Sequence, residues 1–316
     1  MDKLQNQQST SPKNSPKSVQ IHSNNAVKHK AHLSLRMLQY YFRSVGQVLP
    51  SMAGALAYKL WFATRRFPTP RREIKWKEFA RTYTLPHQYG PLMLYAWGED
   101  KPNAPKIVLL HGWNGRATQM GAFVEELLQA GFQVTAFDAP GHGLSPGNST
   151  NILEVAAALQ SVVDSLGTVD AVIAHSFGAM ALTHALRHGL KLRKAVCISS
   201  PADATMLVEH FCSSLHIPNR TRKNLLARFH RQFGENIWSR ISSVENAQHL
   251  SIPVLIVHDE NDQDVEVSHS KQIADAWPGA QLMITQGLGH RRILRHPPVL
   301  KAIKTFVSDS KSDQYS

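Results

Sequence analysis

The chain has 316 residues, 42% of them apolar, and two cysteines; that is enough chain for a large core, and two cysteines without metal-site spacing argue against a disulfide framework or a zinc module. The formal net charge of +12 would suit a nucleic-acid binder, but up to Arg72 there are 12 Lys+Arg against one acid, Asp2, and beyond it 23 against 22. The basicity therefore belongs to an N-terminal appendage on a near-neutral body, and without any nucleic-acid module signature it argues against specific DNA or RNA binding.

Residues 1–32 are rich in Ser, Asn, Gln, Lys and Pro and lack an apolar h-region, so they read as a disordered basic tail and not as a secretory signal. Residues 33–72 read as a helical appendage, basic and apolar at once, containing Tyr40, Tyr41, Phe42, Leu56, Leu60, Trp61 and Phe62. Its longest uncharged run, Ser44 to Tyr58, is shorter than the roughly 20 residues of a spanning helix, and Pro50 interrupts it. Two readings stand: a helical hairpin packed on the body, or a helix in a membrane interface flanked by Arg36, Arg43, Lys59, Arg65 and Arg66. The expected location is cytoplasmic, with peripheral contact at the inner face of the membrane under the second reading.

Residues 73–308 carry the body. Apolar runs predict strands at Leu92 to Trp97, Ile107 to Leu110, Gln133 to Phe137, Ala171 to Ala174, Lys194 to Ile198, Val254 to Val257 and Gln281 to Ile284. Helical patterns separate them at Gln119 to Ala130, Leu153 to Leu166, Phe177 to Arg187, His269 to Ala276 and Pro298 to Val307. This alternation predicts an α/β fold, a mostly parallel central sheet covered by helices on both faces, whose ligands bind beyond the carboxyl ends of the strands. One stretch, 203–247, breaks the alternation and reads as two or three amphipathic helices: a small cap over the strand tips, or an ordinary helical insertion. Residues 309–316 read as a second disordered tail.

The pentapeptide Ala174-His175-Ser176-Phe177-Gly178 joins a predicted strand to a predicted helix. Small-x-Ser-x-small at such a junction is how a serine nucleophile is presented, since only small residues fit beside so tight a turn. A serine hydroxyl needs a base, and the base a third group to hold its tautomer. After the serine, acids crowd the next strand end, in His258-Asp259-Glu260-Asn261-Asp262-Gln263-Asp264-Val265, and Gly287-Leu288-Gly289-His290 follows the last strand. The order Ser, acid, His is that of the hydrolase elbow.

From Leu92 to Val307 these residues resemble the α/β-hydrolase superfamily, serine esterases and lipases among them. The resemblance implies Ser176 as nucleophile, His290 as base and, aligning the acid turn by Val265, Asp262 as the third member, with Asp259 and Asp264 as rivals and Asp203 as a weaker substitute. It also implies that the string Leu110-His111-Gly112-Trp113-Asn114-Gly115 lies beside the serine, so that the backbone N–H groups of Trp113 and Phe177 form the oxyanion hole. His111 and Gly112, Asp138 and His142 in the string Phe137 to Ser145, and Ala174 and Gly178 are expected to be structural; His175 is expected to point away from the base. The implied activity is cleavage of a small-molecule carboxylic ester or thioester through an acyl-enzyme, with no metal and no organic cofactor. Acyl transfer to an acceptor other than water, or a catalytically silent binding protein on the same fold, are the alternatives.

Overall fold

A computed structural model describes residues 22–309. Most of the expected tails, 1–32 and 309–316, lies outside those residues, although the first helix begins at His22, inside the first tail. Eight strands form one sheet: β1 (Arg81–Leu85), β2 (Leu92–Trp97), β3 (Lys106–Leu110), β4 (Gln133–Asp138), β5 (Ala171–His175), β6 (Lys194–Ile198), β7 (Val254–Asp259) and β8 (Gln281–Thr285). Their order is β1-β2-β4-β3-β5-β6-β7-β8, antiparallel from β1 to β2 to β4 and parallel from there to β8.

The helices are α1 (His22–Val48), α2 (Pro50–Phe62), α3 (Arg71–Glu78), α4 (Ala122–Gln129), α5 (Ile152–Leu166), α6 (Phe177–Arg187), α7 (Ala204–Ser214), α8 (Asn219–Phe233), α9 (Ile237–Ile241), α10 (Ser243–Ala247), α11 (Val267–Ala276), α12 (Gly289–Arg292) and α13 (Pro297–Ser308). Alternate residues of the central strands feed two cores. Val108, Leu110, Val172 and Ala174 pack with α5 and α6, while Ile107, Leu109 and Ile173 pack with α4 and α13 on the other face. Both faces are therefore buried, which is why these strands read as unbroken apolar runs instead of alternating ones.

The seven strands read from the sequence all form. The eighth, β1, has no apolar run: Arg81-Thr-Tyr-Thr-Leu is a half-exposed edge strand, held by pairing with β2. Residues 203–247 hold four helices, one more than the upper expectation. Of these, α10 belongs to the body, its Ser243 and Asn246 buried and the Ser243 N–H donating to the Ala202 carbonyl.

The N-terminal helices pack on the insertion, not on the sheet. Phe42, Ala53 and Ala57 share a core with Val208, Cys212, Leu225 and Phe229. Gly54 makes the close approach of α2 to α8 possible, since a Cβ there would come within 2.8 Å of the Asn224 Cβ. Thr221 Oγ1 donates to the Gly46 carbonyl at 2.8 Å. No helix among the described residues is long and apolar enough to cross a membrane.

Candidate active site

Ser176 stands between β5 and α6 with φ 53° and ψ −120°, a left-handed conformation that costs a non-glycine residue on the order of 1–3 kcal/mol and persists only where its surroundings enforce it. Here the backbone N–H of Ser176 is held by the Ile198 carbonyl at 2.8 Å. Gly178 must be small, because a Cβ there would lie 2.5 Å from the His111 carbonyl. Ala174 is buried and lies in register between Leu110 and Cys197 of the flanking strands, and the position accepts its methyl.

His290 is carried by α12, after glycines 287 and 289 with φ 77° and 63°. Its Nε2 lies 3.0 Å from Ser176 Oγ, and its Nδ1–H donates to Asp262 Oδ2 at 2.7 Å. The opposite oxygen of Asp262 accepts the backbone N–H groups of Asp264 and Val265 at 2.9 and 3.0 Å. Burial alone would raise the Asp262 carboxyl, but hydrogen bonds from His258, His290 and Val265 hold it well below the usual carboxylate range. Asp262 is thus an anion fixed under the imidazole.

Two of the rival carboxylates have other partners, while Asp264 lines the cavity in front of Ser176 and gives its backbone N–H to Asp262. Asp259 accepts the N–H groups of Leu288 and Gly289 at 3.0 and 2.8 Å and the Thr285 hydroxyl at 2.8 Å, so it ties down the loop that delivers His290. Asp203 caps α7 by accepting from the Thr205 N–H. His258, which sequence reasoning passed over, is fully buried; its Nε2–H donates to the Val265 carbonyl at 2.9 Å and lies 3.4 Å from Asp262 Oδ2. Its signal was present in the spacing to Asp262, four residues on.

The loop after β3 passes against the serine: a Cβ on Gly112 would lie 3.1 Å from Ser176 Cβ. The Trp113 and Phe177 rings meet edge to face at 4.8 Å, and Phe177, the first residue of α6, has a backbone N–H that an α-helix leaves without an internal partner. His111 Nε2 accepts the Ala139 N–H at 3.1 Å and His142 Nε2 the Asn114 N–H at 3.0 Å. Asp138 accepts from Ala117 N–H, Leu144 N–H and Tyr95 Oη–H, and burial raises its carboxyl above the usual value against those bonds. All three side chains are occupied in fixing loops.

His175 departs from expectation. Its ring does not point away; it lies 4.6 Å from the His290 ring, and its Nε2–H donates to the His290 backbone carbonyl at 2.9 Å. The reason is that β5 and the loop after β8 converge on the same strand tips. Burial pushes His175 down to about 3, as it pushes His142 to about 3 and His111 to about 4, so all three are neutral near pH 7.

A cavity of about 760 Å³ opens in front of Ser176 and His290. Trp113 and Phe177 line it, as do Phe211, Phe229 and Trp238 of the inserted helices and, unforeseen from the sequence, Leu60, Trp61 and Phe62 of α2. No group of three or more His, Cys, Asp or Glu suited to a metal occurs among the described residues.

A family model described as the Alpha/beta hydrolase family matches residues 107–302. The chain belongs to the alpha/beta hydrolase family. This alpha/beta hydrolase is similar to a non-heme haloperoxidase from Rhodococcus erythropolis, 24% identical over 242 residues that cover 61% of the chain and 87% of that protein. Among solved structures it is similar to a carboxylesterase from Bacillus subtilis (TM-score 0.56, 16% identity, 82% of this chain and 98% of that one). It is also similar to a bromoperoxidase from Bacillus anthracis (TM-score 0.55, 16% identity, 72% of this chain and 100% of that one). At these identities the likeness to solved structures is one of fold.

Proposed function

We propose that this alpha/beta hydrolase cleaves a carboxylic ester or thioester through an acyl-enzyme on Ser176. The reading rests above all on the hydrogen-bonded chain from the Ser176 hydroxyl through His290 to the ionised Asp262. As Ser176 Oγ attacks the carbonyl carbon, His290 Nε2 takes its proton, and Asp262 stabilises the imidazolium so formed. The carbonyl oxygen, now an anion, is received by the backbone N–H groups of Trp113 and Phe177, each such donor supplying about 10² to 10³ in turnover. Collapse breaks the bond to the alcohol or thiol, which leaves with the proton from His290. Water then gives a proton to the same nitrogen and attacks the acyl carbon; His290 returns the proton to Ser176 Oγ as the acid departs.

A fluorophosphonate probe tests this: wild-type protein is expected to label at one site and Ser176→Ala not at all. Unlabelled wild type, or equal labelling of the variant, would sink the reading.

We also propose that α1 touches an anionic membrane surface. Leu33, Met37, Tyr40 and Val48 recur on one exposed face of that helix, with the exposed Arg36 and Arg43 beside them, the pairing of apolar and basic groups that binds anionic interfaces. Flotation with phosphatidylserine vesicles should carry the protein upward, and Arg36→Glu with Arg43→Glu should weaken it severalfold. Equal binding to neutral vesicles, or none, would remove this part.

A further inference from the structure

Resting on the serine-hydrolase reading, we infer that α2 is a wall of the substrate site, and that the ester taken there carries a bulky apolar or aromatic group. The segment that does this lies outside the stretch matched by the family model, which begins at residue 107. Its last turn, Leu60-Trp61-Phe62, reaches the same cavity as Ser176 and His290.

Three observations carry the argument. First, the aromatic side chains of α2 are set among those of the inserted helices. Trp61 meets Phe211 at 5.3 Å and Phe229 at 5.9 Å, both edge to face, and Phe62 meets Phe229 at 5.7 Å and Phe233 at 5.9 Å. Such pairs fix ring orientation, so the wall is preformed. Second, the end of α2 is pinned beside the site. The Thr150 N–H donates to the Phe62 carbonyl at 3.1 Å and the Thr64 N–H to the Asn148 carbonyl at 2.9 Å. Arg66 donates to the carbonyls of Gly143, Ser145 and Gly147, part of the loop after β4 that carries His142.

Third, several of the polar groups around the cavity are already used. The Trp238 indole donates to His230 Nε2 at 3.0 Å. Across the cavity Arg116 is paired with Glu73 at 3.2 Å, and Asn114 Oδ1 accepts the Arg65 N–H at 2.7 Å. What the aromatic wall offers a ligand is mostly ring surface, and a cavity of about 760 Å³ lies within the roughly 300–1,000 Å³ of sites that enclose small molecules. A short acyl group such as acetyl would leave those rings uncovered; an octanoyl, benzoyl or benzyl group would cover them.

The test is a substrate series on the full chain: p-nitrophenyl acetate, butyrate, octanoate and benzoate for the acyl side, and ethyl against benzyl acetate for the alcohol side. In at least one series kcat/KM is expected to rise tenfold or more from the smallest to the largest apolar group. In Trp61→Ala that ratio should fall about tenfold or more, and Trp61→Phe should keep most of it. If Trp61→Ala does not fold, Phe62→Leu reads the same ratio, with benzoate losing more than octanoate. Acetate turnover with flat profiles in both series, or a ratio untouched by the Trp61 and Phe62 changes, overturns this inference and leaves the serine-hydrolase reading intact. Absence of both turnover and Ser176 labelling overturns the two together.

Discussion

Around Ser176 the body and the roof above it are built differently. At the strand tips almost every polar side chain is committed: Asp259 to the loop of His290, Asp138 and His111 to the loops after β3 and β4, His175 to the His290 carbonyl. The roof, made of α1, α2 and α7 to α9, is joined largely through rings, with Trp61, Phe62, Phe211, Phe229 and Trp238 in mutual contact. Directional bonds hold reacting atoms to fractions of an ångström, whereas ring packing supplies area with looser direction. On the proposed function, the difference assigns chemistry and selectivity to separable parts of this chain, and separability can be challenged.

The harshest challenge to the body is Asp262→Asn, which removes the anion beneath His290 and leaves the roof alone. Steady-state assay with the best ester of the series should show kcat lower by about 10⁴-fold, with the chain-length ratio unchanged; a changed ratio would mean that site and roof are not separable.

Acid should strike the body next. The folded state keeps His111, His142 and His175 neutral, pushed by burial to about 4, 3 and 3, while the unfolded chain protonates them near about 6.5. The unfolded state therefore binds more protons between those limits. Stability is full above pH 6.5 and is lost as pH falls, on the order of 5 kcal/mol for the three by pH 5. Melting followed by circular dichroism should move down by about 10 °C or more from pH 7.5 to pH 5. A melting temperature independent of pH would show that the three are not held neutral.

Gly54→Ala aims at the roof instead, placing a methyl 2.8 Å from Asn224 Cβ. Overpacking of that kind costs about 1–3 kcal/mol, and limited trypsin digestion should release the N-terminal helices faster while the body melts as before. The smallest effect belongs to Ala174→Gly: the position flanks the elbow and, unlike Gly178, accepts a methyl, so activity should change by less than about twofold and stability by no more than about 1 kcal/mol in thermal melts.

Much of this was legible in the sequence because buried parallel strands declare themselves as apolar runs; of the three proposed triad residues, Ser176 and Asp262 follow such strands, while His290 follows the half-exposed edge strand β8, whose centre is still apolar. The crowded acids were not separable on paper. Asp259, Asp262 and Asp264 lie within six residues, and only the path of the chain shows that the first holds a loop and the second meets imidazole. Strand β1 was illegible because an edge strand half in solvent needs no apolar run. The apolar character of α2 was plain, but its destination was not, since its partners lie far along the chain and no local pattern encodes them.

The Gly46 to Thr221 hydrogen bond spans 175 residues. At the usual 5–20 residues per second of synthesis, α2 leaves the ribosome roughly 9 to 35 s before α8 exists to receive it. During that interval Trp61 and Phe62 lack the rings of Phe211, Phe229 and Phe233 on which they pack, an uncovered aromatic surface that makes the nascent helix a natural client for a chaperone.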